Sequence, residues 1–125
     1  MNIPENLSYT KEHEWAKVEN DAAVIGITDY AQNELGDIVF VELPKIGDAV
    51  ESMKSCGSIE AVKSVSDIYA PVSGEVIEIN QELESNPQWI NQDPYGKGWI
   101  AKIKMSNPQE LDQLLSTEDY RSLVG

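Results

Sequence analysis

Hydrophobic and polar positions alternate over short stretches of this chain, a pattern typical of β-strands rather than of long helices. Residues 14–18 and 22–27 flank residues 19–21, a turn-forming Glu-Asn-Asp trio, and together predict a hairpin. Another strand is predicted from residues 38–43, where Pro44 ends it because proline cannot donate a backbone hydrogen bond. These segments indicate a fold built mainly from short strands.

A further strand is predicted near the end of the chain, at residues 99–105. Its apolar side chains recur at every second position, and the intervening positions include two lysines. We expect one face to cover a core: Trp99, Ala101, Ile103 and Met105. Such a strand has one buried and one solvated face, as in an antiparallel sheet.

Helical signals are short and lie between the strands or after them. Thr28 can cap a short helix, with Asp29 favourable in its first turn and Gly36 as its end. Residues 81–84 form another short candidate, which cannot extend past Pro87. The predicted class is therefore mainly β with short peripheral helices.

A helical segment is also predicted at the C-terminus, over about residues 107–124. Asn107 is the expected capping residue and Pro108 the first helical position. Three leucines supply the apolar side: Leu111, Leu114 and Leu115. Thr117 begins a second short turn.

Length and composition limit the number of domains and the kind of core. A chain of 125 residues suits one domain, which we assign to residues 1–125. Hydrophobic residues make up 41% of the chain and phenylalanine occurs once, so we expect an aliphatic core with three tryptophans.

The charge excludes some partners. A net charge of −13 argues against nucleic acid and anionic membranes, because both are bound through Lys and Arg. No apolar run approaches the roughly 20 residues that span a bilayer. Residues 1–9 lack the pattern of a signal or transit peptide, so we expect a cytoplasmic protein. Cys56 is the single cysteine, which excludes an internal disulfide and a cysteine metal cluster.

Lys63 is the most informative residue. It is the one basic side chain between Lys54 and Lys97, and it lies between two β-like runs. A lysine isolated at a tight turn is well placed to offer one amine to a modifying enzyme. The alternative is a surface lysine that only keeps a hairpin soluble.

The sequence around Lys63, residues 57–80, resembles the lipoyl-lysine segment of the glycine cleavage system H proteins. Further blocks resemble the same family in the same order: residues 8–15, 25–32, 35–44, 91–99 and 100–104. Ala61 departs from the family's usual serine but is still small. A biotin carrier, which has methionine on both sides of its lysine, fits poorly because Val62 and Ser64 stand there.

The resemblance implies a fold and a function. The fold is a barrel-sandwich hybrid of the lipoyl and biotinyl carriers, with the lipoyl hairpin at about residues 57–79. The protein is then a non-catalytic carrier, monomeric in solution, with lipoate on Lys63. It takes the aminomethyl group from glycine decarboxylase to the aminomethyltransferase and is reoxidised by dihydrolipoamide dehydrogenase. A lipoate ligase or octanoyltransferase modifies it.

The resemblance also assigns roles to four carboxylates. Glu60, three residues before Lys63, matches the acidic residue that the lipoylating enzyme recognises. Glu12, Glu14 and Asp67 are expected to line the cleft that holds the cationic aminomethyl group by charge-assisted hydrogen bonds. For Glu12 and Glu14 the alternative is an acidic strand edge, and for Glu60 it is strand solubility.

Two other functions stay open. A lipoyl-relay protein would hand lipoate to 2-oxoacid dehydrogenases, and transfer to an apo acyltransferase domain would support that role. An enzyme would use Cys56 or His13. His13 is the only histidine and is expected to pack beside Trp15, while Cys56 has no adjacent histidine to activate its thiol.

Overall fold

The computed structural model describes residues 1–125 and consists of nine strands with short helices. The strands are β1 (Ser8–Tyr9), β2 (Glu14–Glu19), β3 (Ala22–Ile27), β4 (Ile38–Glu42), β5 (Ala49–Val50), β6 (Ser55–Ala61), β7 (Val65–Tyr69), β8 (Gly74–Ile79) and β9 (Ala101–Met105). The helices are α1 (Asp29–Leu35), α2 (Trp89–Gln92) and α3 (Thr117–Val124), with 3₁₀ helices at Gln81–Glu84 and Pro108–Gln113.

The strands form two antiparallel sheets. The larger sheet has six strands in the order β1-β2-β3-β9-β8-β5, and the smaller has three in the order β4-β6-β7. The chain passes between the sheets after β3, β4, β5 and β7, so neither sheet is made from one continuous run of sequence. The predicted fold class, a mainly β barrel-sandwich with short helices and a C-terminal helix, is confirmed.

The main core lies between the two sheets and is aliphatic, as expected, but none of the three tryptophans is among its buried residues. Ile25 and Ile103 come from the larger sheet, and Ile59 and Ile68 come from the smaller one. All four side chains are at most 1% exposed. Alternation along the strands places these side chains inward and leaves the polar positions in solvent.

A second cluster joins the two ends of the chain. Tyr9, Trp15 and Tyr120 are buried together, and we call these three residues the aromatic seam. The rings of Tyr9 and Tyr120 are stacked with centroids 4.6 Å apart. Trp15 lies over Gly26, where an added Cβ would sit 2.7 Å from the indole. A glycine is therefore needed under this ring.

Several predicted local signals are found in the structure. The Thr28 hydroxyl accepts a hydrogen bond from the Ala31 N–H at 3.2 Å and begins α1, which ends at Gly36. In the β2–β3 hairpin Asn20 has φ of 60°, a conformation that asparagine tolerates better than most residues.

Two local predictions are wrong. Asn107 makes no side-chain cap, and the helix after it is 3₁₀. Leu115 lies outside that helix and pairs with Tyr9 by two backbone hydrogen bonds. Trp99 lies before β9 and packs on the aromatic seam, while Ile100 is fully buried in the main core. The alternation fails where the pairing is irregular: the Ile100 N–H donates to the carbonyl of Ile25, whose partner in the β3–β9 register is Ala101.

None of the helices has both the length and the apolar character needed to cross a bilayer.

Candidate functional site

Lys63 lies at the tip of the β6–β7 hairpin. The two strands pair from Ser55 with Tyr69 to Glu60 with Val65. Beyond that pair, the Ala61 N–H donates to the Ser64 carbonyl at 2.8 Å and closes the turn. The tip is also fixed to the rest of the protein, because the Val62 N–H donates to the Asp37 carbonyl at 3.0 Å.

The amine of Lys63 is free while its aliphatic stem is in contact with the protein. The side chain is exposed and takes part in none of the protein's ion pairs. Its Cε lies 2.9 Å from the position that a Cβ on Gly36 would occupy. The turn thus presents an unpaired ammonium group that an acylating enzyme can reach.

Glu60 lies on the outer face of the smaller sheet, in a row with Phe40 on β4 and Val65 on β7. The row is unusual because its neighbours are exposed apolar side chains: Val39, Phe40, Val62 and Val65 are between 49% and 75% exposed. A bulge at Val39 turns two successive β4 side chains outward. We call Val39, Phe40, Val62 and Val65 the apolar rim. The strand predicted at residues 38–43 gave no indication of it.

Glu14 differs from every other carboxylate singled out in the sequence because it is buried, with 2% of its surface exposed. Its carboxylate accepts hydrogen bonds from the Thr10 hydroxyl at 2.5 Å and from the Tyr69 N–H at 3.2 Å. Burial raises the pKa of Glu14 to about 7, although both hydrogen bonds act to lower it. At neutral pH both the charged and the neutral forms of the Glu14 carboxyl group are therefore populated.

The other two candidate cleft residues are exposed. Asp67 lies on β7, two residues from the Tyr69 that binds Glu14, and accepts a hydrogen bond from the Ser55 hydroxyl at 3.3 Å. It lines an open cleft of about 330 Å³ whose other acidic residues are Glu42 and Asp48. Glu12 lies in the β1–β2 turn, and its charge acts to raise the pKa of Glu14. The structure thus ties Glu14 to β7 at Tyr69, and neither Asp67 nor Glu12 shares a hydrogen bond with Glu14.

Cys56 occupies a bulge in β6, at the wall of the same cleft. Burial, together with the negative charge of Glu14, raises the pKa of its thiol to about 11. A thiol held protonated at neutral pH is a poor nucleophile. The environment of Cys56 therefore disfavours its use as a nucleophile.

His13 packs its ring against Tyr30 and Tyr120, and Tyr120 lies in the aromatic seam together with Trp15. The backbone of His13 has a positive φ of 72°. The Nδ1 atom is hydrogen-bonded to the Tyr120 hydroxyl at 2.9 Å, and burial lowers the pKa of the imidazole. No group of three or more metal-ligating side chains is assembled, around His13 or elsewhere. The ring serves to hold α3 against the sheet.

Comparisons with known proteins agree with one another. The sequence model of the family described as "Glycine cleavage H-protein" matches residues 7–125. The glycine cleavage system H protein of Staphylococcus carnosus is 56% identical over 125 residues, covering 100% of this chain and 99% of that protein. The protein of the same description from Carboxydothermus hydrogenoformans is 55% identical, covering 98% of this chain and 94% of that protein.

A solved structure is similar over the same length. The crystal structure of a glycine cleavage system H protein from Mycobacterium marinum superimposes with a TM-score of 0.89 at 37% identity. The match covers 96% of this chain and 97% of that one.

Proposed function

Because the chain belongs to the glycine cleavage H-protein family, we propose that it is the lipoyl-bearing shuttle of the glycine cleavage system, with lipoate bound to Lys63. In this role it carries the aminomethyl group from glycine decarboxylase to the aminomethyltransferase and is reoxidised by dihydrolipoamide dehydrogenase. The observation that carries the proposal is the unpaired, exposed amine of Lys63 at the tip of an anchored hairpin.

The residues around Lys63 fit an amide-linked lipoyl group. The tight turn holds the amine clear of the strands, and no neighbouring carboxylate competes for it. Lipoate, when bound, supplies a disulfide that is reduced as it takes up the aminomethyl group. The protein supplies placement and shelter, and the partner enzymes supply the catalysis.

Glu14 is proposed to hold the cationic amine of the carried group. A buried carboxylate whose pKa lies near 7 becomes fully charged when a cation approaches, because the opposite charge favours the ionised form. Asp67 is proposed to contribute from the neighbouring position on β7, and Glu12 from the turn. Glu14 has the strongest support because its low exposure also keeps water away.

Glu60 is proposed as the residue that the lipoate ligase or octanoyltransferase recognises. It is exposed, ordered within a strand, and directly beside the hairpin tip. The apolar rim around it offers contact area that a charge alone does not supply.

An exchange assay tests the shuttle role. Glycine decarboxylase, supplied with the lipoylated chain, should exchange labelled bicarbonate into the glycine carboxyl group. Lys63→Arg should abolish this exchange, because arginine keeps the charge but cannot form the amide. Lys54→Arg, a matched change at another exposed lysine, should retain it. Exchange by the Lys63→Arg protein would rule out the shuttle role.

A second experiment tests the shelter. Glu14→Ala should shorten the lifetime of the aminomethyl-loaded protein while leaving lipoylation of Lys63 intact, and mass spectrometry over time measures both. Glu84→Ala is the control, because this exposed carboxylate does not line the cleft. Equal lifetimes of the aminomethyl-loaded wild-type and Glu14→Ala proteins would mean that Glu14 does not hold the carried group.

A further inference from the structure

The turn that follows α1 has an unusual conformation. Gly36 ends the helix with φ of 79° and ψ of −156°, a combination that is essentially restricted to glycine. With no side chain at this position, the backbone surface is open toward the hairpin tip. The space that a Cβ would fill is taken by the stem of Lys63, with Cε at 2.9 Å and Nζ at 3.7 Å from that point.

The same turn is held from both sides. Asn91 on α2 donates from Nδ2 to the Gly36 carbonyl at 2.8 Å, and its Oδ1 accepts from the Ile38 N–H at 3.0 Å. On the other side, the Asp37 carbonyl accepts from the Val62 N–H of the hairpin tip. The surface under Lys63 is therefore fixed relative to the turn that carries Lys63.

We propose that Gly36 is a seat for the methylene stem of Lys63, and that Gly36 and Asn91 are positioning residues that set the direction in which the modified lysine leaves the protein. The positioning role rests on the proposed function, in which Lys63 is the residue that carries lipoate. A lysine stem has many rotamers, and packing its methylenes on a backbone surface restricts them while the amine stays in water.

The contact also predicts what a side chain at position 36 would do. An alanine Cβ at 2.9 Å from Cε is too close, and the flexible end of the lysine will move more readily than the hydrogen-bonded backbone. Gly36→Ala should therefore displace Lys63, in addition to straining the backbone at position 36.

Backbone strain must be separated from loss of the seat, and Gly47 provides the control. Its φ of 96° is also positive, but an added Cβ there meets nothing within 4 Å. Gly36→Ala and Gly47→Ala both force alanine into a positive-φ conformation, and only the first reaches Lys63.

The test uses the full unmodified chain with ¹³C-labelled lysine. We expect a nuclear Overhauser effect between the Lys63 ε-protons and the Gly36 α-protons in wild type. In Gly47→Ala it should persist. In Gly36→Ala the Lys63 ε-protons should lose their contact with residue 36, and the side-chain shifts of Lys63 should move toward random-coil values. Asn91→Asp keeps the acceptor for Ile38 but cannot donate to the Gly36 carbonyl, so the effect should weaken.

Kinetics give the functional readout. The seat holds the stem while the amine stays exposed, so it raises the fraction of protein whose lysine is directed toward a lipoate ligase. Gly36→Ala should therefore raise the KM of the ligase for the unmodified chain by about threefold with kcat unchanged. Gly47→Ala should leave both constants at the wild-type value.

Two outcomes would contradict the proposed seat. One is the absence of an Overhauser effect between Lys63 and Gly36 in wild type. The other is that Gly36→Ala and Gly47→Ala change the Lys63 signals equally. A clear Overhauser effect in a chain that no ligase modifies at Lys63 would instead overturn the proposed function, and the positioning role with it, while the contact itself would stand.

Discussion

The hairpin tip and the aromatic seam are held in place by different kinds of contact. At the tip, order comes from backbone hydrogen bonds, and Lys63, Val62 and Val65 all point into solvent. At the seam, order comes from side chains, because Tyr9 and Tyr120 are buried and both hydroxyls are hydrogen-bonded. The tip therefore leaves side chains exposed, whereas the seam joins the two ends of the chain.

This difference indicates that stability and carrier function can be altered separately. Changes in the seam should reduce the free energy of unfolding and spare lipoylation of Lys63. Changes at the exposed residues of the hairpin tip should reduce lipoylation of Lys63 and leave the free energy of unfolding unchanged. Glu14 is the exception, because it is buried like a seam residue yet is proposed to act on the carried group.

The largest effect on stability is expected from Tyr120. Removing its ring by Tyr120→Ala should cost about 3–5 kcal/mol, as for other buried aromatic side chains. Tyr120→Phe keeps the ring but loses the hydrogen bonds to Thr28 and His13, and should cost about 1–2 kcal/mol. Urea unfolding measures both.

Lipoylation of the Tyr120 variants, assayed where they remain folded, should match wild type. A cost below about 1 kcal/mol for Tyr120→Ala would mean that the seam does not hold α3 as described.

Glu14 should make stability depend on pH. Its pKa rises from 4.5 to about 7 on folding, so the folded state binds the extra proton between these values. The free energy of unfolding should therefore fall as pH rises from about 4.5 to 7, by up to about 3 kcal/mol. In Glu14→Gln, which cannot ionise, this part of the pH dependence should disappear.

Thermal unfolding across pH 4–8 measures this difference, and Glu84→Gln serves as the exposed control. At pH 8 the Glu14→Gln protein should be more stable than wild type and yet lose the aminomethyl group faster. If the stabilities of wild type and Glu14→Gln changed with pH in the same way, Glu14 would not have a raised pKa in the folded protein.

Neighbouring positions on β4 give the smallest expected effects and the sharpest contrast. Val41 is buried in the main core, so Val41→Ala should cost about 1–3 kcal/mol. Phe40 is 51% exposed beside Glu60, so Phe40→Ala should change stability by no more than about 0.5 kcal/mol. Urea unfolding of the two variants measures both costs. A larger cost for Phe40→Ala than for Val41→Ala would place the Phe40 ring in the core.

Local signals in the sequence were good guides to the local structure. Thr28 and Gly36 mark the two ends of α1, and alternation identifies the strands. The hairpin that carries Lys63 follows from two β-like runs and a turn. Each of these features depends on residues close together in the sequence, which is why pattern and propensity suffice.

Features that depend on distant residues were not predictable. Glu12 and Glu14 look alike in the sequence, and the burial of Glu14 requires Tyr69 on another sheet. His13 finds its partner 107 residues away. Gly36 could be recognised as the end of a helix, but its contact with Lys63 depends on the pairing of β4 with β6, which brings Ile38 opposite Ala61.

The most direct test of the central claim is the intact mass of the chain with peptide mapping. The protein would be made in lipoate-fed cells that also express a lipoate ligase. We predict one lipoyl group, on Lys63, and none on Lys54 or Lys97. An unmodified Lys63, in cells where a control lipoyl domain is fully modified, would contradict the carrier role.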